Sequence, residues 1–230
     1  MVMSAHSFPT IHPLGDSAFL VQFDFSVIPI ANQQALQCHA WLTAHRPAGI
    51  LESIPASTTL LLTYNPLFLS ALEVENWLNE TIKDVPTQLP VSSRLIEVPI
   101  VYGGEAGPDL IALAEAHHLS PEDVIQRHLQ ADYWVAMMGF APGFVYLSGL
   151  DQSLATPRLA TPRTVVPAGS VGIAGEQTGI YSIESPGGWQ LIGRTSLKLF
   201  DPQSETPFLF EPGDQIKFVP MISLEEHNHA

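Results

Sequence analysis

One cysteine, Cys38, is all that 230 residues contain. No disulfide can form within the chain, which excludes a disulfide-stapled secreted scaffold. Positive charge is nearly as scarce, with nine lysines and arginines against 23 acids and a formal net charge of -14. Nucleic-acid backbones and anionic membranes demand a basic face, so neither is expected as a partner. No stretch approaches the ~20 apolar residues that span a bilayer. The opening Met1-Val2-Met3-Ser4-Ala5-His6 lacks the basic and apolar regions of a secretory signal, and a cytoplasmic location is expected. A phosphate-binding loop ending in lysine is missing too, since Lys83, Lys198 and Lys217 have no G-x-x-x-x-G frame before them.

What is present favours burial. Hydrophobic residues make up 46% and charged ones 14%, a balance that folds instead of staying disordered, at a length suited to one large domain or two small ones. Ala18-Phe19-Leu20-Val21-Gln22-Phe23 reads as a strand opening after a Gly15-Asp16 turn. Ala31, Ala35, Cys38 and Leu42 recur at helical spacing through Ile28–His45, with Pro29 in the first turn. Two β-rich runs follow at 49–54 and 58–63. A second helix is expected over 68–83, with Phe68, Leu72, Leu78 and Ile82 inward. This β-α-β-β-α order predicts a ferredoxin-like split unit with its closing strand unplaced. Two prolines in Val85-Pro86-Thr87-Gln88-Leu89-Pro90 mark a linker and divide the chain into residues 1–90 and 91–230.

Beyond the linker come a buried strand at Leu95–Tyr102 and a short helix at Pro108–His118. Ser120 then serves as N-cap of another helix, with Pro121 at its first position and Glu122 and Asp123 in its first turn. From Tyr133 onward, short apolar runs broken by glycine and proline predict a β-barrel or sandwich. The ending His227-Asn228-His229-Ala230 reads as a frayed tail. The fold class is α+β, an N-terminal α/β domain followed by a β-domain.

The unusual stretch is Gly139 to Phe200, which holds ten of the sixteen glycines and three of the six arginines. Arg158, Arg163, Arg194 and Lys198 outnumber Asp151, Glu176 and Glu184 there by one charge, while the rest of the chain carries -15. Arginine presents a rigid, permanently charged fork to carboxylate or phosphate, and glycine lets backbone N–H groups approach an anion. One expectation is therefore a pocket for a small anion. The alternative is that the glycines serve tight barrel turns and the arginines pair with Glu176 and Glu184. Gln177 and Thr178 have groups suited to recognising an amide, or to satisfying turn backbone. Ala168-Gly169-Ser170-Val171-Gly172 nearly spells a nucleophile elbow, but its first glycine is displaced and no histidine in the stretch can serve Ser170 as base. His117 and His118, adjacent on a helix, diverge, and no metal site is expected. Cys38 falls on an inward helical face as core filling.

A longer pattern runs through the same residues. Tyr102-Gly103-Gly104-Glu105, Gly107-Pro108-Asp109-Leu110, Gly139-Phe140-Ala141-Pro142-Gly143-Phe144, Ala155-Thr156-Pro157-Arg158 and Thr161-Pro162-Arg163 occur in order. They continue through Val166–Gly175, Gln177-Thr178-Gly179-Ile180-Tyr181, Glu184-Ser185-Pro186-Gly187-Gly188-Trp189 and Ile192-Gly193-Arg194-Thr195. Together with Pro13-Leu14-Gly15-Asp16-Ser17-Ala18 they resemble the family of 5-oxoprolinase B subunits, also called allophanate hydrolase subunit 1 or sporulation-kinase inhibitor. The resemblance spans nearly the whole chain. Val145 and Ser148 depart from the family's usual proline and glycine, which concerns local loop shape.

The resemblance implies a cyclophilin-like β-barrel after the α/β domain, a companion C subunit of the same 5-oxoprolinase and a third component, its A subunit. It implies an assembly that opens 5-oxo-L-proline to L-glutamate with ATP hydrolysis, and a chain that does not act alone; ATP chemistry in general adds magnesium accompanying the nucleotide. On this basis Arg163, Arg194 and Gln177 are the expected catalytic residues. Arg158, Gly143, Gly175, Thr178, Gly188 and Thr195 are the expected substrate contacts, with arginines for anions and Gln177 for the amide. The family's labels keep two other functions open. One is a regulatory inhibitor of a sensor histidine kinase. The other is a carboxyltransferase-type component for urea-derived substrates, which would need a biotin-carrying partner, and no biotin-attachment lysine is recognisable.

Overall fold

The computed structural model describes residues 9–86 and 94–223. The Met1–His6 opening, the linker beyond Pro86 and the histidine-bearing tail lie outside the described residues. The chain divides into two compact units, Met1–Val91 and Ser92–Ala230.

In the first unit β1 (Thr10–Pro13) and β2 (Ala18–Gln22) form a hairpin. There follow α1 (Ile28–Ala44), β3 (Ile50–Pro55), β4 (Thr59–Tyr64) and α2 (Ala71–Thr81). The sheet is antiparallel in the order β1-β2-β4-β3. That is the ferredoxin-like arrangement, with the closing strand supplied from before β2 instead of after α2. The spacing along α1 holds: Ala31, Ala35, Cys38 and Leu42 are buried. Burial pushes the Cys38 thiol up to about 12, which leaves it an unreactive core group. The second helix differs from expectation. It begins at Ala71 because Ser70 and Glu73 form a reciprocal capping box. Val74 and Leu78 are its buried residues, and Phe68 and Leu72 are exposed.

The second unit opens with β5 (Leu95–Tyr102), α3 (Leu110–Ala116) and α4 (Pro121–Gln130). Ser120 caps α4 in a capping box with Asp123, and α3 stops where His118 turns left-handed at φ +56. Strands then follow closely: β6 (Tyr133–Met138), β7 (Val145–Ser148), β8 (Arg163–Val166) and β9 (Ser170–Ala174). After them come β10 (Gln177–Ile180), β11 (Ser185–Gly187), β12 (Gln190–Arg194) and β13 (Gln215–Pro220). Seven strands close a barrel in the order β10-β7-β6-β13-β5-β12-β9, and β8 with β11 makes a separate ribbon. Strand alternation sends Val171, Ile173 and Ile180 into the barrel core. It leaves Gly172 and Gly179, directly paired across β9 and β10, on the outer wall. Trp189 covers this bare spot: a Cβ on Gly179 would meet its ring at 2.9 Å, and one on Gly172 its Cβ at 3.0 Å. Phe144, Val166, Ala174, Tyr181 and Leu191 join Trp189 in a second core outside the barrel.

Candidate functional site

The outer core is rimmed by the loop between β6 and β7. Phe140 sits at φ +71, in a turn closed by the Ala141 N–H donating to the Gly139 carbonyl at 2.9 Å. Pro142-Gly143 forms the next turn, with Gly143 at φ +78 and the Phe144 N–H donating to the Ala141 carbonyl at 3.0 Å. The Ser182 hydroxyl holds the loop by donating to the Pro142 carbonyl at 2.6 Å. Beneath, Phe144 packs on Tyr146, Tyr181 and Trp189 with ring centroids 4.7, 5.0 and 5.7 Å away. Burial pushes both phenols upward, Tyr146 and Tyr181 alike. Arg158 pulls each back, and for Tyr181 the Trp189 backbone pulls back more. Net, both remain O–H groups at neutral pH, able to donate a hydrogen bond.

The three arginines have different surroundings. Arg163, at the start of β8, donates to Asp109 Oδ1 at 2.6 Å in an ion pair. The other Asp109 oxygen accepts the Leu191 N–H at 2.6 Å. The expected pairing with Glu176 and Glu184 does not occur; Asp109 takes that role. Arg194, at the end of β12, donates through Nε to the Ala168 carbonyl at 2.9 Å. Arg46, Arg94 and Arg127 likewise have partners. Arg158 is exposed and, among the described residues, is the one arginine with neither hydrogen bond nor ion pair. Arg46, Arg127 and Arg194 also make no ion pair among the described residues, but each donates to a neutral oxygen; the Arg158 charge acts on the Tyr146 and Tyr181 phenols.

Most of the other expected substrate contacts are engaged by the protein itself. Thr178 is fully buried, donates to the Gly172 carbonyl at 2.9 Å and meets His128 Nε2 at 3.1 Å. Thr195 is buried, and its hydroxyl accepts the Leu197 N–H at 3.2 Å. Gly175 turns the β9–β10 hairpin at φ +58, its N–H committed to the Thr156 carbonyl at 2.8 Å. The Gly188 carbonyl accepts the Leu159 N–H at 2.7 Å. Gly143 is required by its turn and by Phe200, whose Cβ a side chain there would meet at 2.8 Å. Gly143 and Gly175 thus serve turns, and Gly143 close packing as well. Gln177 stays half-buried at the start of β10 on the outer side, without a side-chain partner among the described residues. Ser170 is buried in the barrel wall.

Three residues bearing on the site were missed from the sequence: Phe140, Tyr146 and Asp109. The signal for Phe140 lay in an aromatic beside a Pro-Gly turn. Asp109 was visible only as part of Gly107-Pro108-Asp109-Leu110. A buried network also emerges, Tyr102 Oη to His128 Nδ1 at 2.7 Å and His128 to Thr178, with burial lowering His128 to about 3. Among the described residues no group of three or more His, Cys, Asp or Glu side chains can hold a metal. No helix among them is long and apolar enough to cross a membrane.

An α/β unit followed by a closed seven-stranded barrel is an architecture shared with solved structures. The Kluyveromyces lactis urea carboxylase superposes with a TM-score of 0.71 over 95% of this chain and 22% of its own, and at 22% identity the likeness concerns the fold alone. Residues 9–210 match the carboxyltransferase domain, subdomain C and D, and the chain belongs to that family. Within it, the chain is 41% identical over 227 residues to the 5-oxoprolinase B subunit of Bacillus subtilis, covering 94% of this chain and 95% of the relative. The solved structure of TTHA0988 superposes with a TM-score of 0.78 at 38% identity, over 90% of this chain; the match spans 40% of that longer protein.

Proposed function

We propose that this chain is the B subunit of a cytoplasmic, ATP-dependent 5-oxoprolinase, which opens 5-oxo-L-proline to L-glutamate together with its C and A subunits and has no activity by itself. The observation that carries the reading is the near full-length correspondence to the Bacillus subtilis B subunit, 95% of that relative at 41% identity. Three residues are assigned to the lactam site in this reading. Arg158, an exposed arginine with neither hydrogen bond nor ion pair among the described residues, holds the substrate carboxylate by a charge-assisted contact worth roughly 1.5–3 kcal/mol. Tyr146, kept protonated by burial, donates to the lactam oxygen. Gln177, half-buried at the start of β10 without a side-chain partner among the described residues, hydrogen-bonds the lactam N–H through its carbonyl.

A lactam is resonance-stabilised, and phosphoryl transfer from ATP supplies the activation that makes its carbonyl carbon susceptible to water. ATP and its magnesium belong to the assembled complex in this reading, and this chain's part is to bind and orient the lactam. Co-expression with the A and C subunits, followed by an assay of 5-oxoproline-dependent ADP release and glutamate, tests the reading. Turnover is expected from the complex and not from the chain alone. Glutamate made by the isolated chain, or a complete complex that releases no ADP in response to 5-oxoproline, overturns it.

A further inference from the structure

Phe140 combines a disfavoured backbone with an exposed side chain. At φ +71 a β-carbon is unwelcome and glycine is at ease. Yet the residue whose β-carbon strains the turn is 64% exposed, so burial does not offset the strain. Nothing in the turn requires a phenylalanine: the hydrogen bond closing it runs between the backbones of Ala141 and Gly139. The loop around it is held firmly, by the Ser182 hydroxyl on the Pro142 carbonyl and by the Gly139 N–H donating to the Phe144 carbonyl at 3.2 Å. Strain that the surroundings impose on an outward-facing side chain belongs with function more than with folding. The ring stands edge-on to Phe144 at 5.4 Å and to Tyr181 at 6.5 Å. It rises from the same aromatic cluster whose two phenols feel the charge of Arg158.

We propose that Phe140 is a specificity residue, forming the apolar wall against which the ring methylenes of a small cyclic acid pack while Arg158 holds the acid's carboxylate. This rests on the binding role given above to Arg158 and Tyr146. The wall suits a compact five-membered lactam, whose two ring methylenes present one short apolar edge opposite the polar amide. A six-membered homologue has a third methylene to place in the same space, so ring size is what the wall discriminates.

The complex reconstituted with its companion chains is assayed with 5-oxo-L-proline and with 6-oxopiperidine-2-carboxylate, using wild type, Phe140→Gly, Phe140→Tyr and Arg158→Ala. Phe140→Gly is expected to unfold at or above the wild-type temperature, because the turn relaxes. Its KM for 5-oxo-L-proline is expected to rise at least fivefold and its preference for the five-membered ring to fall at least threefold, with Phe140→Tyr within twofold of wild type. A Phe140→Gly complex with unaltered KM and ring preference overturns the proposal. So does a variant with a lowered unfolding temperature, which makes the ring structural, or one that no longer co-purifies with its companions, which makes it a docking residue. If Arg158→Ala raises KM and Phe140→Gly does not, the wall fails and the binding site stands. If neither changes KM, the site itself is misplaced.

Discussion

Arg158 and Arg163 lie five positions apart and differ in everything but charge. Arg163 sits against Asp109, whose second oxygen also anchors Leu191. Replacing Arg163 with alanine leaves a mostly buried carboxylate with one hydrogen bond fewer, a loss of about 1–3 kcal/mol. Its unfolding temperature should fall by about 2–4 °C per kcal/mol lost, with turnover tracking the folded fraction. Arg158→Ala removes a charge that makes no hydrogen bond or ion pair among the described residues. Its unfolding temperature should stay within a degree of wild type while KM for 5-oxoproline rises at least tenfold, the equivalent of about 1.4 kcal/mol. Thermal unfolding and steady-state kinetics on the same preparations separate the two arginines. A fully stable Arg163→Ala enzyme that had lost turnover would restore Arg163 to the reacting groups.

Among the secondary-structure elements, the strands β9 and β10 show why this chain is rich in glycine. Gly172 and Gly179 are paired across the two strands, and their missing side chains let Trp189 approach the barrel wall closely. Trp189 in turn carries Phe144 and Tyr146, with ring centroids 5.7 Å away in both cases. Gly179→Ala places a methyl 2.9 Å from the indole ring and equally close to the Val145 carbonyl. Overpacking of this kind costs about 1–3 kcal/mol. Because the displaced indole underlies the aromatic rim, near-UV circular dichroism should change along with stability, and the Arg158-dependent binding should weaken. An alanine variant with wild-type aromatic signal would mean the wall yields elsewhere.

For the molecule as a whole, the pH dependence of stability should be governed by buried histidine before the carboxylates contribute. His128, on α4, joins Tyr102 of β5 to Thr178 of β10 and packs against Tyr133 and Phe218. Burial lowers it from 6.5 to about 3. The unfolded chain takes up a proton below 6.5 that the folded one refuses, so this contribution is complete above that pH and is lost as pH falls toward 3. The slope is about 1.4 kcal/mol per pH unit. His39 of the first unit is lowered in the same direction, chiefly by burial. Asp123, Asp151 and Asp201 are lowered by hydrogen bonds, so their contribution fades only below about pH 4. Urea unfolding between pH 6.5 and 4.5 should therefore show a falling midpoint that His128→Gln flattens. An unchanged slope in that variant would remove His128 from the account.

Local patterns carried much of this fold in advance. The inward row of α1, the bounds of β5, the Ser120 cap and the barrel's glycine-broken strands all depend on neighbours a few positions away, which is the range over which periodicity and capping act. The α2 start was equally local, written as Ser70 and Glu73, though the apolar run before it suggested a longer helix. The four residues of β1 are too few to carry a period; pairing with β2 makes them a strand. The site was another matter. Arginine's charge is legible in one dimension, but whether that charge is free depends on an acid 54 residues earlier in the chain, brought alongside only when the barrel closes. The inward row of α1, the span of β5, the Ser120 cap and the family were legible along the chain; that Asp109 neutralises Arg163 and leaves Arg158 without a partner among the described residues came only with the fold, because ion pairing follows distance in space and not position along the chain.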